Sequence, residues 1–349
     1  MESSFQLLRL PQLAIAEVLN LLSMKEQVLF SLSSSKAETL FKFLRNKQLK
    51  PNLVIALYYW IGNYVHQNQT LSEILIHVGS ELERFCGRVE KVKMGNQLVD
   101  LWIEDKNEEF YLKTYWQDFE IGILVISDYI CNLFEVGIFL FELRTEHLKM
   151  MDMLEGTTIE TLHIYDYCRE IDENGLNYIL SKAKAKYLFI CISLESFQLN
   201  AHHKNHFDSL IVDKASWVTI DFLMSLDCIE IRIRERRFSN EELNRFLMHW
   251  INGGSPRLKC FVADADIWFF KEELALKGIN VQKTKEHTRI YKSPSKDLEF
   301  ENQEIRRNDG IIASIKYSNG VFSFGVWPDC DDTLHRSIII VGMGKSNWK

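Results

Sequence analysis

Residues 239–261 read SNEELNRFLMHWINGGSPRLKCF, a helix followed by the start of a strand. Ser239 precedes Glu242 by three residues, the spacing at which a hydroxyl and a carboxylate close a helical first turn reciprocally. Leu243, Phe246, Leu247, Trp250 and Ile251 recur on one helical face, and Gly253-Gly254 before Pro256 ends the pattern. The spacing predicts a helix from Ser239 to Ile251 whose apolar stripe can only enter a core.

Just upstream, CIEIRIRE (228–235) alternates Ile229, Ile231 and Ile233 with Glu230, Arg232 and Arg234, the period of a strand. Similar short apolar runs begin at Thr158 (TIETLHIYD), Lys186 (KYLFICISL), Asp208 (DSLIVD) and Arg257 (RLKCFVAD). With Leu162, Leu188, Leu210, Ile229 and Leu258 as equivalent points, the spacings are 26, 22, 19 and 29 residues. These sit in or near the range of leucine-rich repeats, so a degenerate leucine-rich-like series of strands and helices is expected. If helices cover one side, the isoleucines face them and Arg232 and Arg234 look out from the other. By the same alternation His163, Tyr165, Asp213, Lys259 and Phe261 are expected on that open face. Arginine beside aromatic residues is the composition of binding hot spots, which makes these seven the candidate target-binding set.

Asn319-Gly320 between alternating runs in IIASIKYSNGVFSFGVW (311–327) is a strong hairpin signal, and Asp105-Lys106-Asn107 marks a second hairpin within Leu98–Trp116. At the other end, Ile15, Val18, Leu19 and Leu22 lie on one helical face, and capping boxes are read at Ser23/Glu26 and Ser35/Glu38. Three short helices ending near Leu44 result, too few to bury their own apolar surface, so another part of the chain must cover them. The expected fold class is α/β with a small all-α N-terminal region, leucine-rich-like strand-helix repeats and terminal β-hairpins. The expected divisions are 1–46, a helical and hairpin linking region 47–157, and 158–349.

The chain has 349 residues, enough for two or three domains, with 46% apolar and 26% charged residues, which excludes a disordered or collagen-like chain. A net charge of -7 gives no global basic field for nucleic acid. The most apolar stretch, Ile121–Leu143, contains Asp128, Glu135 and Glu142, too costly for a membrane span, and reads as one or two buried helices. The opening MESSFQLLRLPQ lacks the marks of a secretory signal, and the seven cysteines form no C-x-x-C pair. Reduced thiols and a location in the cytoplasm or nucleus are expected, which makes the sequon at Asn68 a chance match.

No enzyme, metal or cofactor motif survives inspection. VGMGKS (341–346) has Ile339 where a phosphate-binding loop needs glycine, and His202, His203 and His206 lack the further ligands a zinc site needs. Cys168, Cys191, Cys228 and Cys260 fall at comparable places in the strand series and read as small packed residues. No hydrolase or dinucleotide motif is present.

Residues 5–44, FQLLRLPQLAIAEVLNLLSMKEQVLFSLSSSKAETLFKFL, resemble an F-box of the variant typical of the large nematode families. The resemblance is carried by Leu10-Pro11, the Ile15/Val18 face, Glu26, Phe30-Ser31-Leu32 and Lys36-Ala37. The stretch 239–261, with FDSLIVDKASW (207–217) and ISDYICNLF (126–134), is similar to the type 2 F-box-associated domain of the same proteins. The resemblance implies a substrate adaptor of a cullin-based SCF ubiquitin ligase, with no catalytic residue and no cofactor of its own. Its N-terminal helices would dock on the Skp adaptor, and through it a cullin, by Leu8, Leu10, Pro11, Ile15, Val18, Leu19, Leu22 and Phe30. The larger domain would hold a target protein. The alternative is a repeat-type interaction scaffold with no ligase role.

Overall fold

The computed structural model describes residues 7–48, 53–55, 76–79, 88–94, 96–106, 109–166, 171–198, 206–265, 270–283, 288–292, 297–301 and 303–328. The sequon at Asn68, Cys86, Cys168, His202, His203, Cys330 and VGMGKS lie outside these residues. The chain divides into two compact units, Met1–Leu143 with Lys149–Thr161, and Arg144–Leu148 with Leu162–Lys349.

The first unit begins with α1 (Gln12–Leu21), α2 (Met24–Leu32) and α3 (Ser35–Leu44). The expected capping box at Ser23/Glu26 forms in both directions, 3.3 Å to the Ser23 hydroxyl and 2.7 Å to the Glu26 carboxylate. That backbone contact holds the Glu26 carboxyl below its ordinary range. For α3 the reading was one residue late: Ser34, with extended backbone, accepts from the Ala37 N–H at 3.1 Å, and Glu38 turns instead to Lys42. Of three consecutive serines, the one with β-region dihedrals becomes the cap.

After β1 (Leu53–Ile55), the strands β2 (Ile76–Gly79), β3 (Arg88–Met94), β4 (Gln97–Lys106) and β5 (Glu109–Tyr115) form a sheet in the order β2-β5-β4-β3. β4 and β5 pair antiparallel out to Lys106 and Glu109, as expected of a hairpin there, and Asn107 lies outside the described residues. Val92, Met94, Val99 and Leu101 are buried, and the sheet packs on α4 (Phe119–Phe134), which Asp118 caps through the Ile121 N–H. Helix α4 is the cover that the three N-terminal helices need. The Ser31 hydroxyl meets the Tyr129 hydroxyl at 2.8 Å in a buried contact, the Phe41 ring stands edge-on to Phe134 at 5.4 Å, and buried Arg45 pairs with Glu135 at 3.1 Å. Burial pushes the Tyr129 hydroxyl up to about 12. The stretch read as one or two helices is helix and then strand: Glu135 takes a left-handed conformation at φ 53°, α4 stops, and β6 (Ile138–Arg144) pairs in parallel with β1. The five apolar residues Ile138, Phe139, Leu140, Phe141 and Leu143 satisfy a short buried strand as well as a helix. A short helix, α5 (Met150–Met153), follows.

The second unit contains β7 (Ile159–Tyr165) from Leu162 onward, α6 (Glu173–Lys182), β8 (Ala185–Cys191), β9 (Ser209–Asp213), α7 (Ile220–Met224), β10 (Glu230–Phe238), α8 (Asn240–Ile251) and β11 (Cys260–Ala265). It continues with α9 (Glu272–Ala275), β12 (Gln282–Lys283), β13 (Arg289–Tyr291), β14 (Leu298–Phe300), β15 (Gln303–Arg306), β16 (Ile312–Ser318) and β17 (Val321–Trp327). Its sheet runs β7-β8-β9-β10-β11-β17-β16-β15-β12. Strands β8 to β11 are parallel and in chain order; β17, β16 and β15 then return antiparallel. Asn319 and Gly320, both at positive φ, make the β16–β17 turn as expected.

Paired register makes Leu188, Leu210, Ile231 and Phe261 equivalent, so the expected points Ile229 and Leu258 fall two and three residues early. Between β8 and β9 the described residues contain no helix. The cysteines do not occupy comparable places on the strands, since Cys191 ends β8, Cys228 precedes β10 and Cys260 begins β11, but Cys228 and Cys260 are buried as expected.

The expected helix is α8, with both halves of the Ser239/Glu242 box formed and Gly253 at φ 91° after its end. Phe246 lies 4.5 Å from Phe261, and Trp250 stands edge-on to Phe324 at 5.1 Å, all four fully buried. Trp250→Ala should therefore lower unfolding stability by about 3–5 kcal/mol, measured by denaturant titration, because the void would lie beside β11 and β17 where nothing can collapse to fill it.

Candidate functional site

The register of β8 to β11 lays out the sheet face turned away from α8 as three rows. Tyr187, Ser209, Glu230, Cys260 and Gly325 form the lowest, Phe189, Ile211, Arg232, Val262 and Ser323 the middle, and Cys191 with Asp213 and Asp264 with Val321 the highest, where the register of β10 shifts after Ile233 and Arg234 joins through its ion pair with Asp213. The β13–β14 hairpin covers the lowest row toward β11. Tyr291 and Phe300 pack on Cys260, and the Tyr291 hydroxyl donates to the buried Glu230 carboxylate at 3.0 Å. Gly325 allows this approach, since a Cβ there would come within 2.8 Å of the Phe300 ring.

Of the seven expected residues, five lie on the face turned away from α8, while Lys259 and Phe261, two residues apart, have the opposite parity, and Phe261 is inside the helix-covered core. The His163 ring lies 5.0 Å from Phe189, Tyr165 lies 5.6 Å from the same ring, and His163 Nδ1 meets the Tyr165 hydroxyl at 3.2 Å. Asp213 pairs with Arg234 at 3.3 Å, burial raising its carboxyl and Arg234 opposing the rise. Arg232 is half-buried in the middle row. Lys259 sits just before β11 and donates to the Pro328 carbonyl at 2.8 Å.

Phe261 is the correction. It aligns with Ile231 on the helix-covered side and is fully buried against Phe246, so it cannot share a face with Arg232. The alternation was right, but Leu258 as its starting point set the parity of β11 wrongly by one. Val262 and Asp264 take the place expected for Phe261. Phe189, Ile211 and Cys191 were missed, although the same alternation in KYLFICISL and DSLIVD carries them once the register is known.

At the upper rim, the Asp166 carboxylate accepts from Lys214 Nζ at 2.9 Å and from the Ser193 N–H at 2.7 Å. The Glu235 N–H donates to Asp264 at 2.8 Å. Arg236 is fully engaged, with the Val218 carbonyl, the Arg237 carbonyl and the Glu242 carboxylate. His206, the described member of the histidine cluster, pairs with Asp227 at 2.7 Å and meets Arg257 at 3.0 Å. Among the described residues no three metal-ligating side chains converge, and no helix is long and apolar enough to cross a membrane.

On the N-terminal helices, Ile15 and Leu19 are buried within the three-helix packing, Leu8, Leu10, Val18, Leu22 and Phe30 are half-buried, and Pro11 is exposed. The most exposed large apolar side chains there are ones not singled out in the sequence, Leu13 at 77% and Leu21 at 85% on α1 and Phe43 at 71% on α3. The family resemblance implied docking through the better-populated stripe of α1, whereas a bundle first buries such a stripe in itself.

Residues 198–263 match a family model described as F-box associated. The F-box-associated segment holds β9, α7, β10 and α8 and most of β11, which are three of the five strands that carry the rows together with the helix beneath them. Searches of curated proteins and of solved structures gave no match.

Burial holds His163 down at about 4, against an ordinary 6.5, so the folded ring stays neutral where the unfolded one takes up a proton. Its contribution to stability is complete above 6.5 and is lost as the pH falls toward 4. Melting temperature should drop across that interval, and His163→Gln should flatten part of the slope; an unchanged slope would show that the ring is solvated.

Proposed function

We propose that this chain is the substrate-recognition adaptor of a cullin-based SCF ubiquitin ligase. The observation that carries the reading is the F-box-associated match over 198–263, joined to the F-box-like residues 5–44, which fold as three short helices over their described part. In this reading the N-terminal helices dock on a Skp adaptor and the second unit holds a target protein. In the same reading the strand series is a degenerate leucine-rich-like array and the chain is an F-box protein of the nematode type. The chain itself is not an enzyme: it raises the effective concentration of a bound target near a charged conjugating enzyme, and the chemistry belongs to partner subunits. Cytoplasm or nucleus is the compartment that suits such a complex.

The structure changes which residues suit the docking role. An apolar side chain left in water by the bundle has surface to bury on a partner, which Leu13, Leu21 and Phe43 have and Ile15 and Leu19 do not. For the target, the middle and upper rows offer an aromatic shelf of His163, Tyr165 and Phe189 beside Ile211, Arg232 and Arg234.

Leu13→Asp with Leu21→Asp should reduce co-purification of the Skp adaptor and cullin by at least about tenfold, since an unpaired charge would be desolvated on docking, while the thermal melt stays unchanged. Ile15→Asp should instead abolish docking by unfolding the helices, visible as lost helicity. Wild-type recovery of the adaptor by the Leu13/Leu21 variant would remove this surface from the interface, and no recovery by the wild-type chain would favour a scaffold without ligase role.

A further inference from the structure

A cleft of about 810 Å³, within the size range of ligand sites, opens in the first unit. One wall is the α2–α3 turn at Ser33 to Ser35, the floor is α4 at Asp128, and the other wall is β3 through Lys91, Val92 and Lys93. Successive side chains of a strand leave by opposite faces, so a cleft lined by all three meets β3 at its edge, and Asn96, Gln97 and Leu98 extend it around the turn into β4. β3 is the last strand of its sheet: β4 pairs with it on one side, and among the described residues no strand pairs on the other. The main-chain groups along such an edge are a template for a further strand.

Side chains decide which strand fits. Alternation puts Lys91 and Lys93 on one face, both exposed, and Leu98, 75% exposed, lies opposite Lys93 on β4. Asp100 reaches Lys91 only at 4.0 Å with both side chains well exposed, a weak pair, and Lys93 has no ion-pair partner among the described residues. Glu38, in the cleft wall, is taken by Lys42 at 2.7 Å. Asp128 on the floor repels a carboxylate that enters deeper than the two lysines. Lysines along an edge oppose pairing with a second copy of the same strand, because like charges meet, yet they attract a strand of opposite charge. We propose that the edge of β3 takes up an extended acidic segment of a partner protein by strand addition, main chain to main chain, with carboxylates set against Lys91 and Lys93.

The test is fluorescence anisotropy of the full chain with a fluorescein-labelled peptide alternating Glu and Val, seven residues long to match β3. Saturable binding is expected, weakened at least about tenfold by Lys91→Glu with Lys93→Glu, both surface changes. N-methylation of alternate peptide amides keeps the charge and removes strand hydrogen bonds, and should abolish binding to the wild type. The proposal is overturned by the absence of saturable binding to the wild type, by equal binding of the N-methylated peptide, or by equal competition from an oligothymidylate of the same charge.

Discussion

The second unit depends on the aromatic seam beneath α8. Phe246 and Trp250 come from the helix, Phe261 from the parallel part of the sheet, and Phe322 and Phe324 from the antiparallel return. One helix therefore joins two kinds of strand pairing, and aromatic rings suit that task because each buries a large area and tolerates edge-on contact. The helix is fixed at its start by more than packing. Arg236, just before it, binds the Glu242 carboxylate that also closes the capping box, so the exit from β10 and the first turn of α8 share one ionic contact. Displacing that helix would open the core under β10, β11 and β17 together.

The sheet face opposite α8 is shaped by subtraction. The β13–β14 hairpin dries its lowest row, where Glu230 survives because Tyr291 satisfies it. What remains is a half-covered surface of alternating aromatic, aliphatic and charged side chains at the carboxyl ends of the parallel strands. Its charges are mostly paired locally, Asp166 with Lys214 and Asp213 with Arg234, so it presents shape and apolar area more than net charge.

What the sequence disclosed depended on how local the signal was. Capping boxes at Ser23 and Ser239 and the Asn319-Gly320 turn are decided within a few residues, and each formed as written. The parity of β11 was not local: whether Phe261 or Val262 faces α8 is set by pairing with β10 and β17, and a guess displaced by one residue turns every side chain over. The β13–β14 hairpin was invisible because strands of three residues carry too few alternations to stand out. For α1 the stripe itself was legible, but whether a stripe faces neighbours or a partner is a tertiary fact, and Ile15 and Leu19 went inward.

The contact of Ser31 with Tyr129 spans 98 residues of chain, and with Phe41 against Phe134 and Arg45 against Glu135 it forms the cover of the first three helices. During synthesis those helices leave the ribosome long before α4 does. At roughly 5–20 residues per second the wait is about 5–20 s, during which Phe41 and its neighbours have no native cover. Newborn chains are then clients for whatever shields apolar surface in the cell, and a stalled ribosome anywhere before Phe134 would leave three helices that have been made but have not matured.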